Sequence, residues 1–360
     1  MEKAATTFFS IASVLMLMQC FLALGGGAAN YTSSDESALL ALKSHITYDP
    51  NHVLATNWST NTSFCNWLGV SCRRRGQNRV TSLNLFNMGL KGTIPPQIGN
   101  LSFLTYFNIS YNHFNGHLPA ELGQLRRLKV FALQINDFSG DIPTSIFNVS
   151  SIQWINLWNN SLSGSLPNYF CSHLPKLTML WLGFNEFSGD IPSHLGECRQ
   201  LQHLALDGNR FTGFIPRGIG NLTLLKSLYL GRNNLQGELL PEMGNLRSLE
   251  ELSLISANLT GSIPSSLFSI SSLKVLDLRS NKLSGKHWVA NSICYGVVEI
   301  IDANLLIPND EPYAAKVQCV SAIMELALRC SADSPEERMN MRDVLAALKK
   351  IKILYLTNCG

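Results

Sequence analysis

The chain has 360 residues, 46% of them apolar, and a formal net charge of +3. It is long enough to bury a large core and too nearly neutral to suggest nucleic acid or an anionic membrane surface as a partner. None of the H-E-x-x-H, C-x-x-C or G-x-S-x-G spacings occurs, and of the eight histidines only His113 and His117 lie four apart, in a turn rather than on a helix; no metal, cofactor or nucleotide is expected.

The run "FFSIASVLMLMQCFLAL", Phe8 to Leu24, is uncharged, follows Lys3 and ends in the small residues "GGGAAN". It predicts a secretory signal over residues 1–29, and hence an extracellular or apoplastic location; an uncleaved anchor is the competing reading and would hold the chain at the plasma membrane. N-x-S/T sequons at Asn30, Asn57, Asn61, Asn100, Asn108, Asn148, Asn159, Asn221 and Asn258 agree with passage through that pathway. "YGVVEIIDANLLI" is interrupted by Glu299, Asp302 and Asn304, so no span is expected downstream.

From Gln77 the chain repeats every 24 residues, with one step of 25, through nine units starting at residues 77, 101, 125, 149, 174, 198, 222, 246 and 270. Counting the first residue of each unit as offset 0, apolar residues recur at offsets 3, 6, 8 and 13, as in Leu225, Leu228, Leu230 and Leu235. The alternation at 6 and 8 predicts a short strand buried on one face. Offset 11 is Asn in seven units (Asn112, Asn136, Asn160, Asn185, Asn209, Asn233, Asn281) and is Met88 and Ala257 in the other two. An amide fixed at that place is expected to satisfy buried backbone groups of the neighbouring coil, forming a ladder along the stack. Offset 15 is always Gly, which predicts a tight turn, and apolar-Pro mostly follows; the seventh unit instead has Leu240 in the proline slot and Pro241 one place later.

This spelling resembles the plant-type leucine-rich repeat of receptor-like kinases and receptor-like proteins. "DESALLALKSHI", "NWS" and "FCNWLGVSC" look like that family's N-terminal cap. The resemblance implies an α/β repeat solenoid: a right-handed superhelix with a concave parallel sheet, a helical N-terminal cap over residues 30–76 and repeats over 77–285. It also implies a cap disulfide, for which Cys65 and Cys72 are the one obviously spaced pair. Cys171 and Cys198 stand at nearly equivalent places in adjacent repeats, and a bridge or two free buried thiols are both open. "RRR" at Arg73 to Arg75 reads as a solvated loop.

On such a sheet, offsets 4, 5, 7, 9 and 10 point away from the core. They carry Tyr106, Tyr111, Trp154, Trp158, Trp181, Phe184, His203, Asp207, Tyr229 and Arg232. Aromatics gathered on one exposed face predict a groove for an extracellular peptide or a partner repeat receptor, centred on Trp154, Trp158, Trp181 and Phe184. Cross-strand packing of those rings on one another is the plainer reading. Charged residues at the same offsets, Lys226, Glu250, Glu251, Lys274 and Arg279, read mainly as a solvated face. Glycans at Asn108 or Asn159 would obstruct the groove.

After Gly285 the repeat stops and helical periodicity follows, with Val317, Val320, Ile323, Met324, Ala327 and Leu328 on one stripe and Ser334 capping "SPEE". Residues 286–360 are expected to be a small α-helical tail, and the wording of 286–353 resembles the C-terminal end of the same family's kinase domain. Cys294, Cys319, Cys330 and Cys359 fit such an origin. No G-x-G-x-x-G loop, V-A-I-K lysine, H-R-D base or D-F-G ligand occurs, so no catalysis is expected. The sequence therefore reads as a non-catalytic receptor-like binding module in defence or developmental signalling, an ectodomain joined in its ninth repeat to a kinase remnant. The alternatives are an incompletely represented membrane-bound receptor kinase and an inhibitor-like repeat protein. A tail of this size has little core of its own; limited proteolysis should cut beyond residue 285 while 35–280 resists, and equal resistance of the two parts would contradict this.

Overall fold

The computed structural model describes residues 27–73 and 78–284. The expected tail at 286–360, the leader at 1–26, and Arg74 and Arg75 lie outside the described residues. Helix α1, Gly27–Ser44, buries Ala38, Leu39 and Leu42 against the first coil. Within it Asp35 is wholly buried and takes a two-pronged bond from Arg79, Nε to Oδ2 and Nη2 to Oδ1, both 3.0 Å. Asp35 also accepts from the Val80 backbone N–H at 2.8 Å, so one carboxylate ties the cap to the first repeat strand. Trp58 and Trp67 stack beneath it with ring centroids 5.3 Å apart, and Cys65 and Cys72 are disulfide-bonded.

Ten strands form one sheet: β1 Val70–Arg73, β2 Arg79–Asn84, β3 Tyr106–Asn108, β4 Val130–Ala132, β5 Trp154–Asn156, β6 Met179–Trp181, β7 His203–Ala205, β8 Ser227–Tyr229, β9 Glu251–Ser253 and β10 Val275–Asp277. β1 pairs antiparallel with β2 and closes the cap end; β2 to β10 run parallel in chain order. This is the leucine-rich-repeat solenoid that the period implies. Offsets 3, 6, 8 and 13 are its core, where Phe114 stacks on Phe138 and Phe187 on Phe211.

The asparagine ladder forms as expected. Asn185 Oδ1 accepts from Leu162 N of the preceding coil at 3.0 Å, while its Nδ2 donates to Leu157 O at 2.9 Å and Leu182 O at 3.0 Å. Asn136, Asn160, Asn209, Asn233 and Asn281 repeat the pattern. One offset earlier, the chain turns through left-handed backbone in all nine units: Asn87, Tyr111, Ile135, Asn159, Phe184, Gly208, Arg232, Ser256 and Ser280. Only one of these is Gly. The ladder and the bonds to the next coil over-determine a conformation that a β-branched Ile135 avoids when free.

Two features depart from expectation. The glycines at offset 15 do not make an isolated tight turn: most lie in a second row of short parallel strands, including His113–Gly116, Asp137–Asp141 and Ser188–Asp190, which the sequence does not foretell. Seven of them, Gly116 to Gly261, have left-handed φ; Gly92 does not, and is required because a Cβ there would meet the carbonyl oxygen of His45. The far side of the coils is built mostly from five-residue 3-10 segments entered from a proline such as Pro95 or Pro216, whose carbonyl accepts the first bond; the fourth unit has a single turn of α-helix there, Phe170–His173. Leu240 performs that entry in the seventh unit, with Pro241 at the first helical place. Cys171 and Cys198 are disulfide-bonded, with Cα atoms 4.7 Å apart, which decides between the two open readings. No helix among the described residues is long and apolar enough to cross a membrane.

Replacing Asn185 by Ala would strand the buried Leu162 N–H and leave the Leu157 and Leu182 carbonyls with only the amides of Asn160 and Asn209, so Asn185→Ala should lower unfolding stability by about 1–3 kcal/mol. Urea unfolding of the full chain measures it, and an unchanged midpoint would show that the ladder is not structural.

Candidate ligand-binding face

Because the strands pair in exact repeat register, equal offsets stand side by side in rows across the sheet. In the offset-7 row, Trp181 stands between Asn156 and Ala205. In the offset-9 row Gly183 separates Trp158 from Asp207, and Gly231 follows. Large side chains are thus flanked by small or absent ones. The result is a hollow of about 450 Å³ walled by Trp158, Trp181, Phe184, Asp207 and Tyr229, with Tyr111 and Gln134 at the end nearer the cap.

Gly183 holds that shape open. A Cβ there would lie 2.6 Å from Asp207 Oδ1 and 3.0 Å from Trp158 Cδ1. Trp158 meets Phe184 edge-on with centroids 5.4 Å apart, and the Arg232 guanidinium sits 5.6 Å over the other side of the cluster on the Phe184 ring. Two polar atoms in the walls are buried without a hydrogen-bond partner: Trp181 Nε1 and Gln134 Oε1. Buried polar atoms are nearly always satisfied, so an unpaired donor and an unpaired acceptor in one hollow are unusual.

Charge in the hollow is set by burial. Removal from water pushes the Asp207 carboxyl above the usual carboxylate range, opposed by the hydrogen bond from its own backbone N–H and by the charge of Arg232. Burial also pushes the Tyr229 phenol well up, helped by its hydrogen bond to Glu251 and the negative charges of Glu251 and Asp207. His203 is held below its ordinary value first by burial and then by Lys226; its Nδ1 lies 2.8 Å from Ser227 Oγ.

Six of the ten residues singled out at the outward offsets therefore meet around one hollow, and four do not. Tyr106 lies in the offset-5 row and accepts from Asn108 Nδ2 at 3.1 Å. Trp154 is in the same row, 47% exposed, between Val130 and Met179 rather than against Trp181, so it does not share the groove's centre. His203 is also in that row, and Arg232 stands exposed at the rim. Gln134, Asn156 and Ala205 were missed, because aromatic and charged side chains alone were sought at the outward offsets. The charged residues beyond the hollow pair among themselves: Lys274 with Glu250 at 2.5 Å and Arg279 with Asp277 at 2.7 Å.

Asn108 is corrected as a glycan site. Its side chain is buried, donates to Tyr106 and accepts from the Ser110 backbone and hydroxyl, so a glycan on Nδ2 is incompatible with this placement. Asn159 is exposed at the sheet corner beside Phe184. Asn57 and Asn61 are exposed in the cap, and Asn100, Asn148 and Asn221 are exposed at the ends of 3-10 segments on the opposite side. Asn258 is half-buried and donates through Nδ2 to Leu235 O at 3.1 Å.

Comparison with known proteins agrees with this architecture. The family described as "Leucine rich repeat N-terminal domain" matches residues 32–73, and "Leucine Rich Repeat" matches 103–125, 151–173, 176–198, 200–222 and 224–246. The class is therefore a capped leucine-rich-repeat solenoid. More particularly, the chain is homologous to the ectodomains of plant leucine-rich-repeat receptor-like kinases. It is 41% identical over 103 residues to the LRR receptor-like serine/threonine-protein kinase EFR of Arabidopsis thaliana, a match spanning 29% of this chain and 10% of that protein. The crystal structure of the Arabidopsis receptor kinase HAESA in complex with the peptide hormone IDA and the co-receptor SERK1 superposes with TM-score 0.56 and 30% identity, covering 75% of this chain and 41% of that one. A plant ice-binding protein superposes with TM-score 0.62 and 27% identity, covering 74% of this chain and 84% of that one.

The shape of the hollow depends on the missing side chain at residue 183. Gly183→Ala should cost about 1–3 kcal/mol of stability through overpacking and rotate Trp158 away from Phe184. Near-ultraviolet circular dichroism reads the second effect; an unaltered aromatic signal would show that Gly183 does not hold the hollow open.

Proposed function

We propose that this chain is a non-catalytic binding module of the secretory pathway, which takes an extended extracellular peptide across its parallel sheet. The observation that carries the reading is the hollow itself, whose aromatic walls hold an unsatisfied donor and an unsatisfied acceptor. Aromatic side chains give large contact area at small entropic cost, and a buried polar atom without a partner gains most from a ligand that supplies one. Trp158, Trp181, Phe184, Asp207 and Tyr229 form the centre; Tyr106, Trp154, His203 and Arg232 are flanking contacts along the same face. A homologue solved in complex with a peptide hormone and a co-receptor supports the reading, and a partner repeat receptor is proposed as the second class of ligand. A glycan on Asn159 would stand at the margin of the hollow and limit the ligand's path.

Residues 286–360 are proposed to derive from the end of a kinase domain, on their wording alone. The kinase-bearing homologues also favour a second reading, in which these repeats are the ectodomain of a membrane-bound receptor kinase. Sequencing the full transcript decides between them: a membrane span and kinase motifs between residues 285 and 286 would establish the second.

For the groove, random dodecapeptides displayed on phage are selected on the full chain, and the enriched peptides are measured against variants. Trp158→Ala/Trp181→Ala should weaken them about 30-fold or more with the unfolding midpoint little changed, whereas Trp154→Ala should have a smaller effect. Affinity untouched by the double change would remove the groove.

A further inference from the structure

We propose that the hollow is an arginine subsite: it takes a guanidinium side chain of the bound peptide between its aromatic walls, with Asp207 and Gln134 as the groups that read it. This rests on the peptide-binding reading and names the side chain that the site selects.

Chemistry on the page narrows the occupant. The walls are four aromatic rings, Trp158, Trp181, Phe184 and Tyr229, which favour a flat or cationic group laid against their faces. Two acceptors stand out among the polar groups of the lining. Gln134 Oε1 is buried and unpartnered, and Asp207 makes no ion pair within 4.0 Å among the described residues, its cationic neighbour Arg232 being placed over the Phe184 ring instead. The Tyr229 hydroxyl adds no free donor, because it is committed to Glu251. A carboxylate ligand would meet Asp207 with Glu251 behind it and would leave Gln134 Oε1 unsatisfied. An aliphatic side chain would strand both acceptors.

A guanidinium suits all of these groups. It is planar and stacks on indole and phenyl faces. Its five N–H donors form a fork that engages a carboxylate through two parallel bonds and still reaches a second acceptor. An ammonium carries the same charge but neither the plane nor the fork, so lysine is the weaker fit. The buried donor without a partner, Trp181 Nε1, then takes a carbonyl oxygen of the peptide main chain, the only acceptor that an arginine residue offers. Gly183 and Ala205 leave the floor free of side chains beyond a methyl, and a methyl on Gly183 would close it. Burial disfavours the bare Asp207 carboxylate, and an arriving cation relieves that penalty.

The test uses the full chain and dodecapeptides selected on it by phage display, then resynthesised with each arginine replaced by citrulline, which keeps the shape and loses the charge, or by lysine. We expect one arginine position to dominate, with citrulline weakening binding at least tenfold and lysine at least fivefold. On Asp207→Asn, and separately on Gln134→Met, the arginine-to-citrulline gap should shrink to threefold or less. Peptides whose binding needs Trp158 and Trp181 but tolerates citrulline or lysine, or contains no arginine, would overturn the subsite and leave the peptide groove standing. The absence of any peptide dependent on those tryptophans would overturn both.

Discussion

Backbone satisfaction at one corner of each coil governs the whole molecule. A solenoid must turn its chain inward after every three-residue strand, and the turn buries N–H and C=O groups that no strand partner reaches. In seven of the nine coils one asparagine amide completes them, accepting from the coil before and donating to carbonyls on both sides, as Asn209 does. The bond set is strong enough to hold tyrosine, isoleucine, phenylalanine and arginine in left-handed backbone at the preceding residue, a conformation for which their side chains have no liking. Where Ala257 replaces the asparagine, Asn258 at the next place is itself left-handed and donates to Leu235 O, a bond outside the ladder pattern.

That corner also prepares the sheet surface. Fixing the same turn nine times keeps the strands in register, and register turns a repeated offset into a row. Rows make the surface legible as a matrix in which neighbours in space are residues about 24 apart in sequence. A binding site then arises from contrast within a row rather than from any special loop. Trp181 beside Ala205, and Trp158 beside Gly183 with Asp207 next, produce depth on a face that would otherwise be evenly covered. Left-handed corners add to this by bringing Tyr111 and Phe184 into the lining of the hollow.

Most of the architecture could be read from the sequence, because a 24-residue period leaves few foldings that bury every Leu and Phe while pairing every strand. The ladder was equally legible, since an amide recurring where the apolar alternation ends has few other uses. The site was readable only in part. Trp154 and Trp181 seem adjacent when the eye follows large residues along the chain, yet they stand in different rows, offsets 5 and 7, and only register reveals it. The absent side chains that create the hollow carry no signal of their own. Asp35 and Arg79, 44 residues apart, have no local mark of their pairing, and the second row of strands was hidden because its glycines look like ordinary turn residues. Asn108 shows the same limit from the other direction: its sequon is intact, but its neighbours Tyr106 and Ser110 claim the amide.

The two kinds of unpaired and paired polar groups separate structure from function here. Inside the coils, Asn112 alone makes five hydrogen bonds, and six of the seven ladder asparagines are nearly inaccessible. On the sheet, within one hollow, Trp181 Nε1 and Gln134 Oε1 are equally shielded from water and make none. A fold held by so many satisfied corners tolerates that local cost, because each coil is stabilised chiefly by its neighbours and a deficit in one row does not spread along the stack. The outward rows are therefore free to vary while the core does not, which is how one coil shape serves proteins of unrelated tasks. What the molecule recognises is decided by the few outward positions where a row is interrupted, and in this chain the interruption falls at Gly183, between an indole and a carboxylate.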